Sequence, residues 1–341
     1  MSQPLSPPDP QIEYVNELAR SFWNSAILRA GIKLNIFSLL QDCSLTSEEI
    51  ARRLEASPTY VLAFLEACVV LNLLEKHVET YQNSALTSKL LNPMSTYYVG
   101  DHALHHTNTW ALWGRLDEIV KDGKSQLPFE TGYVDAATYW SNYTMGQHNR
   151  ASSGQARHLV ENVDLRDKRK LLDLGGGAAS YSIALCGANP QLSAVVVDQM
   201  EPLKIAKSLV EVHQIQDRIT LLEGDFNTTK FGRDFDVVLL SGVILIKPEK
   251  DCRMLVSYAY DALLPGGLLI VQDYLRIDHC PERQRLDTLE HLYVMVAFDS
   301  GAADREGTEV AAWIEEVGFL KPTMIPLPTQ LALITALKPP A

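Results

Sequence analysis

The second part of this 341-residue chain predicts an α/β fold with a doubly wound parallel sheet, on three observations. After Leu165, strand-length runs of Val, Ile and Leu alternate with helix-length segments. Those runs are apolar on both faces, as strands covered by helices on each side must be. The first run also ends in a glycine-rich turn that opens a helix. In order the runs are Lys170–Asp173, Ala194–Asp198, Arg218–Leu222, Phe235–Leu240 and Leu268–Asp273, the last preceded by the turn Leu264-Pro-Gly-Gly267. A helix over Thr308–Val317 and two more strands around Met324 and Ala332 complete the set.

The first hundred residues read differently. From Gln11 to about Leu91 apolar residues recur at helical spacing, as over Phe22–Leu40 and Val61–Leu74. Thr46-Ser-Glu-Glu49 is a capping box: Thr46 can accept from the third backbone N–H while Glu49 reaches back. Pro58 opens the next helix, and Asn72–His77 with the Tyr81 segment reads as a β-ribbon. The expectation is an all-helical winged-helix domain followed by that ribbon, over 1–100. A helical connector over 101–165 and a sheet domain over 166–341 follow. A winged helix can read DNA through its second helix, yet Ser57–Val70 carries no Lys or Arg. A dimerisation platform is the better expectation. The pairs Phe22-Trp23, Ile27-Leu28 and Ile36-Phe37 exceed what a few local helices can bury, which predicts a homodimer.

Composition narrows the function classes. Hydrophobic residues make up 46% of the chain and charged residues 21%, a globular balance. The formal net charge of -12 disfavours a phosphate backbone as partner. No apolar run has the length to span a bilayer, and Met1–Pro10 lacks the basic and apolar regions of a signal peptide. Cys43, Cys68, Cys186, Cys252 and Cys280 show no metal-ligand spacing and lie in apolar segments, so buried, reduced thiols and a cytoplasmic location are expected. No metal site is expected. Between Thr107 and His158, Trp110, Trp113, Tyr133, Tyr139, Trp140 and Tyr143 are interleaved with Met145, His148 and Asn149. They either fill core or roof a pocket for a flat apolar ligand.

The sharpest local signal is Asp173-Leu-Gly175-Gly176-Gly177-Ala-Ala-Ser180. Glycines let the backbone approach a ligand, and the helix N–H groups face it. A dinucleotide turn would place a third glycine where Ser180 stands. Asp173 would repel a pyrophosphate but attract a ligand carrying an ammonium and a sulfonium. Asp198 closes the second strand, where a carboxylate can accept ribose hydroxyls, and Asp225 closes the third beside Phe226, where it can accept from an adenine amino group. Three acids at three successive carboxyl ends point to S-adenosylmethionine.

These stretches carry a resemblance that spans nearly the whole chain. Leu171–Gly177, Val197-Asp198, Leu222–Phe226, Asp236–Ser241, Asp251-Cys252, Leu264–Gly267 and Trp313–Phe319 resemble the small-molecule O-methyltransferases of the caffeate and acetylserotonin type and their bacterial relatives. The resemblance implies a Rossmann-like S-adenosylmethionine-binding domain behind a winged-helix dimerisation domain. It also implies that Asp173, Gly175, Gly177, Asp198, Asp225, Phe226 and Ser241 line the cofactor. The family usually has a histidine base after the fourth strand, where this chain reads Gly242-Val-Ile-Leu245-Ile-Lys247, with Leu245 at the base position. Two histidines are candidate replacements. His291 falls where the similar bacteriochlorophyllide C-methyltransferase has its proposed base, and His148 lies in the connector. Trp140, Met145, Met295 and Phe298 are candidate acceptor contacts. The expected function is methyl transfer to carbon or oxygen of a small, aromatic or polyketide-like secondary metabolite. The alternative is an S-adenosylmethionine-binding enzyme that does not methylate but hydroxylates, dehydrates or performs pericyclic chemistry.

Overall fold

The computed structural model describes residues 9–225, 232–277, 281–298 and 301–341, and its chain divides into two compact units, Met1–Thr107 and Asn108–Ala341.

In the first unit, helices Phe22–Lys33, Ser47–Arg53 and Pro58–Val70 surround a core containing Ile36, Phe37, Ile50, Leu65, Cys68 and Tyr81. The capping box forms as its sequence predicts: the Glu49 N–H donates to Thr46 Oγ1 at 3.2 Å, and Glu49 Oε2 accepts from the Thr46 N–H at 2.9 Å. Leu74–His77 and Thr80–Asn83 pair as an antiparallel ribbon, and Leu45–Thr46 adds a third strand. The ribbon expected over Asn72–His77 and the Tyr81 segment therefore forms, and Leu45–Thr46 widens it to three strands. Ile36 and Phe37 are buried in the unit's own core, so they leave the apolar face expected of them. Ile12, Tyr14, Val15, Leu18, Phe22 and Trp23 remain more than half exposed, and helix Pro10–Arg20 buries no residue.

The second unit is built on a seven-stranded sheet. Its strands are β1 (Lys170–Leu174), β2 (Ser193–Asp198), β3 (Ile219–Glu223), β4 (Phe235–Ser241), β5 (Leu263–Asp273), β6 (Thr323–Pro326) and β7 (Ala332–Leu337), in the order β6-β7-β5-β4-β1-β2-β3. β1 to β5 run parallel, whereas β7 is antiparallel to β5 and β6 to β7. Two apolar clusters sandwich the sheet, one around Val238, Leu240 and Trp313, the other around Leu171, Val196 and Leu239. Burial on both faces is what the unbroken Val/Ile/Leu runs require. Strand order reverses between β1 and β4, and the crevice at the carboxyl ends there is where such sheets bind ligands.

Helix Ala136–Arg150 precedes the sheet and runs into a π-helical turn, Ala151–Gln155, with Gly154 at φ +144°. That φ is closed to most side chains, so the glycine sets the bend. Cys68, Cys186 and Cys252 are buried thiols, but Cys43 is exposed in the loop between the short helix Ile36–Leu39 and the strand Leu45–Thr46, which corrects the expectation for it. Cys280 lies outside the described residues. No helix among the described residues is long and apolar enough to cross a membrane.

Candidate active site

The glycine turn leaves β1 with its first backbone N–H, that of Gly175, donating to the Val197 carbonyl at 2.9 Å. A Cβ at Gly176 would meet Val196 at 2.6 Å and the Asp173 carboxyl at 2.7 Å, so no larger residue fits. A Cβ at Gly177, by contrast, would meet nothing within 4 Å, because this residue faces open space. Its φ of +53° turns the chain toward helix Ser180–Ala188. Close packing behind and space in front are the two properties a ligand cradle needs.

Asp198 ends β2 directly beside this cradle. Its Oδ2 accepts from the Gly177 N–H at 2.8 Å and its Oδ1 from the Gln199 N–H at 2.7 Å. A carboxylate has about four acceptor positions, so lone pairs remain for a diol. Burial raises its pKa, opposed by those two N–H groups and the charge of Lys247. Asp173 is buried beneath the turn, where Oδ2 accepts from the Ser182 hydroxyl at 2.6 Å while, among the described residues, Oδ1 has no partner. Burial pushes this carboxyl up to about 7, with the Ser182 hydrogen bond opposing. An orphaned buried acceptor beside an open cradle is what a cofactor ammonium would satisfy. Asp225 lies just beyond β3 on the same sheet edge; Phe226 lies outside the described residues. Ser241 closes β4, its Oγ accepting from the buried Gln272 amide at 3.0 Å. These groups fit S-adenosylmethionine: acids for the ribose and ammonium, and a glycine cradle for the chain between.

A second cluster in this unit is aromatic and apolar. Leu245 is buried with Tyr293, Val294, Ala297 and Phe298, and Tyr143, Ile246 and Tyr274 pack against them. Its backbone is fixed at both ends: its carbonyl accepts from the Ala303 N–H at 2.9 Å, and the preceding Ile244 N–H donates to Asp273 Oδ2 at 2.8 Å. Phe298 meets Tyr143 and Tyr293 edge to face, with ring centroids 6.0 Å apart in both pairs. Trp140 and Tyr139 extend the cluster, 5.1 Å apart, toward Phe129. Met145 is half-buried on the same helix. Met295 does not join them: it is 50% exposed, although Val294 and Val296 on either side are buried. Helical spacing alone did not reveal which way its thioether faced.

The two histidines occupy different places. His148 Nδ1 lies 2.9 Å from Ser180 Oγ and its Nε2 3.3 Å from Ser152 Oγ, which ties it to the start of the helix after the glycine turn. His291 Nδ1 accepts from the Asp304 N–H at 3.3 Å. Burial lowers both pKa values, helped at His148 by His213 and at His291 by the Arg276 and Arg305 charges. Gln155, Gln272 and Arg150 gather around Tyr181, and no local sequence pattern marks any of the four. The Tyr181 hydroxyl donates to Gln155 Oε1 at 2.9 Å, across the π-turn. Among the described residues, no group of three or more His, Cys, Asp or Glu side chains is arranged to hold a metal ion.

Residues 113–320 match the family model described as the O-methyltransferase domain, and residues 16–93 match the O-methyltransferase dimerisation domain. The chain belongs to the O-methyltransferase family. This methyltransferase depends on S-adenosylmethionine. It is 29% identical to the tetracenomycin polyketide synthesis 8-O-methyl transferase TcmO of Streptomyces glaucescens over 331 residues, covering 93% of this chain and 94% of that one. It is 28% identical over 270 residues to 3-hydroxy-5-methyl-1-naphthoate 3-O-methyltransferase of Streptomyces sahachiroi, 76% of each chain. In fold the methyltransferase resembles human N-acetylserotonin methyltransferase in complex with S-adenosylmethionine, with a TM-score of 0.86 at 23% identity over 98% of this chain and 100% of that one.

Proposed function

We propose that this enzyme methylates an acidic hydroxyl of a flat, aromatic, polyketide-like metabolite, and does so without a histidine general base. The observation that carries this reading is Leu245: a buried alkyl side chain in one cluster with Phe298, four residues past β4, at the position where the family resemblance implies a histidine base. Tyr143, Trp140 and Phe298 suit a planar apolar acceptor. The relatives that act on a tetracenomycin polyketide and on a naphthoate favour the same acceptor class.

The bound cofactor supplies an electrophilic methyl group on a sulfonium. The chain's own part is to bind, align and dry the two reactants. Asp198 would accept the ribose hydroxyls, the glycine turn would let the backbone close on the cofactor, and Asp173 would meet its ammonium. Asp225 would serve the adenine, and Gln272 holds Ser241 in place. The aromatic wall orients the acceptor oxygen in line with the methyl group, and alignment of this kind supplies much of the rate of a displacement. An acceptor that is already ionised needs no base. His291 is poorly placed to be one: with Nδ1 accepting a hydrogen bond, the neutral ring carries its proton on Nε2 and can only donate there. His148, with both nitrogens near hydroxyls, positions Ser180. The exposed apolar face of the first unit is the contact of a homodimer.

Two alanine variants test the absence of a base. His291→Ala and Leu245→Ala are expected to keep turnover within about tenfold of the parent enzyme. A loss of about 10²- to 10⁴-fold in His291→Ala, the usual worth of a positioned base, would show that the imidazole takes the proton. The pH dependence of cofactor binding tests Asp173. In the ligand-free protein this carboxyl titrates at about 7, and an ammonium partner favours its ionised form. Binding of S-adenosylhomocysteine therefore expels a proton below neutrality, and affinity rises with pH by up to about tenfold per unit until about pH 7, then levels off. Calorimetry between about pH 5.5 and about pH 7.5 reads this slope. Asp173→Asn is expected to flatten it, whereas affinity that falls with pH would contradict the assignment.

A further inference from the structure

Arg150 ends the helix Ala136–Arg150, immediately before the π-helical turn. Its guanidinium lies over the Tyr274 ring, 4.9 Å from the centroid. Tyr274 in turn packs against the cluster of Leu245, Tyr293 and Phe298. Among the described residues the guanidinium forms no ion pair and no hydrogen bond. That is unusual for a half-buried arginine with five donors to satisfy.

The charge is nevertheless felt on four elements at once. It opposes the effect of burial on Tyr143 of its own helix, on Tyr181 after the glycine turn, on Asp273 at the end of β5, and on Tyr293 of the helix Pro281–Ala297. It does the same for Glu290 on that last helix. The cation thus stands where the cofactor side and the aromatic side meet, near acids that it does not pair with. A helix residue seven positions after Tyr143 lies on the same face as that ring, two turns on.

We infer that Arg150 is the oxyanion-binding group for the acceptor: it holds the reacting hydroxyl of a phenol or enol in its ionised form. The inference rests on the base-free methyl transfer proposed above and supplies what that reading needs. The hydroxyl proton leaves to solvent before or as the acceptor binds. The oxygen–carbon bond then forms as the carbon–sulfur bond breaks, with the electron pair going to a neutral thioether. The guanidinium stays protonated throughout and acts by charge and hydrogen bonds alone. A stacked, forked cation can do this where Leu245 cannot. The other oxyanion within reach is the cofactor's own carboxylate. Packing of Tyr274 on Leu245 and Phe298 favours the acceptor.

The test uses 4-nitrophenol as a chromophoric acceptor probe, bound to the full chain with saturating S-adenosylhomocysteine and titrated spectroscopically with pH. The parent enzyme is expected to favour the bound phenolate by about tenfold or more relative to water. Arg150→Gln is expected to abolish that shift, and Arg150→Lys to retain part of it. S-adenosylhomocysteine affinity, compared with that of 5′-methylthioadenosine, which lacks the amino-acid carboxylate, reports on the other source and on folding of the variants. An unshifted or unbound probe in the parent enzyme overturns the inference, as does an equal shift in Arg150→Gln. So does an Arg150→Gln variant that loses only the preference for S-adenosylhomocysteine, because the arginine would then serve the cofactor. A chain that shifts the probe yet never methylates any acceptor would count against the methyl-transfer reading alone.

Discussion

Asp198→Ala is expected to weaken S-adenosylhomocysteine binding by about 100-fold or more. The carboxylate accepts from two backbone N–H groups, Gly177 at 2.8 Å and Gln199 at 2.7 Å, and in the proposed site it also accepts the ribose diol. Its removal deletes charge-assisted hydrogen bonds of about 1.5–3 kcal/mol each and strands the Gly177 N–H in the cradle. Two such losses total about 3–6 kcal/mol, more than the roughly 2.8 kcal/mol that corresponds to about 100-fold. Calorimetry on the variant reads it directly. Asp198→Asn should recover a part, because the amide oxygen still accepts from one N–H. An Asp198→Ala variant that binds within a factor of about three of the parent would remove the residue from the cofactor site.

The second large effect concerns assembly. Light scattering at micromolar concentration should report twice the 38.0 kDa mass of one chain. Helix Pro10–Arg20 buries nothing in its own unit, and Tyr14, Val15, Leu18, Phe22 and Trp23 stay exposed within one short stretch of chain. Contiguous apolar surface of this kind is stabilised by burial against a partner. Trp23→Asp places a charge in that surface, and the measured mass should fall to that of one chain. A parent protein that runs as a single chain would contradict the dimer, whatever the variant does.

Much of the sheet-edge cluster, proposed above to hold the cofactor, was legible in the sequence because it is written locally. Asp173, Gly175, Gly177 and Asp198 sit at the ends of strands whose apolar runs announce them, and a parallel sheet brings successive carboxyl ends to one edge. Leu245 was legible for the same reason, since Ser241 and Cys252 bracket it without a gap. The acceptor side depends on which way single side chains turn. Met295 and Phe298 sit three residues apart on one helix, yet one is half exposed and the other buried. Ile36 and Phe37 look like surface for a partner until a core closes over them. Arg150, Gln155 and Tyr181 escaped notice because a π-turn with Gly154 at φ +144° brings them together. No hydrophobic period encodes such a turn.

Product stoichiometry tests most directly whether this chain transfers a methyl group without a histidine base. Purified enzyme is incubated with S-adenosylmethionine carrying a labelled methyl group and a panel of hydroxylated polyaromatic acceptors, and both products are quantified by mass spectrometry. One S-adenosylhomocysteine is expected per acceptor that gains one labelled methyl on oxygen, in the parent enzyme and in His291→Ala alike. A product with an unchanged methyl count, formed while S-adenosylmethionine is not consumed, would contradict that expectation.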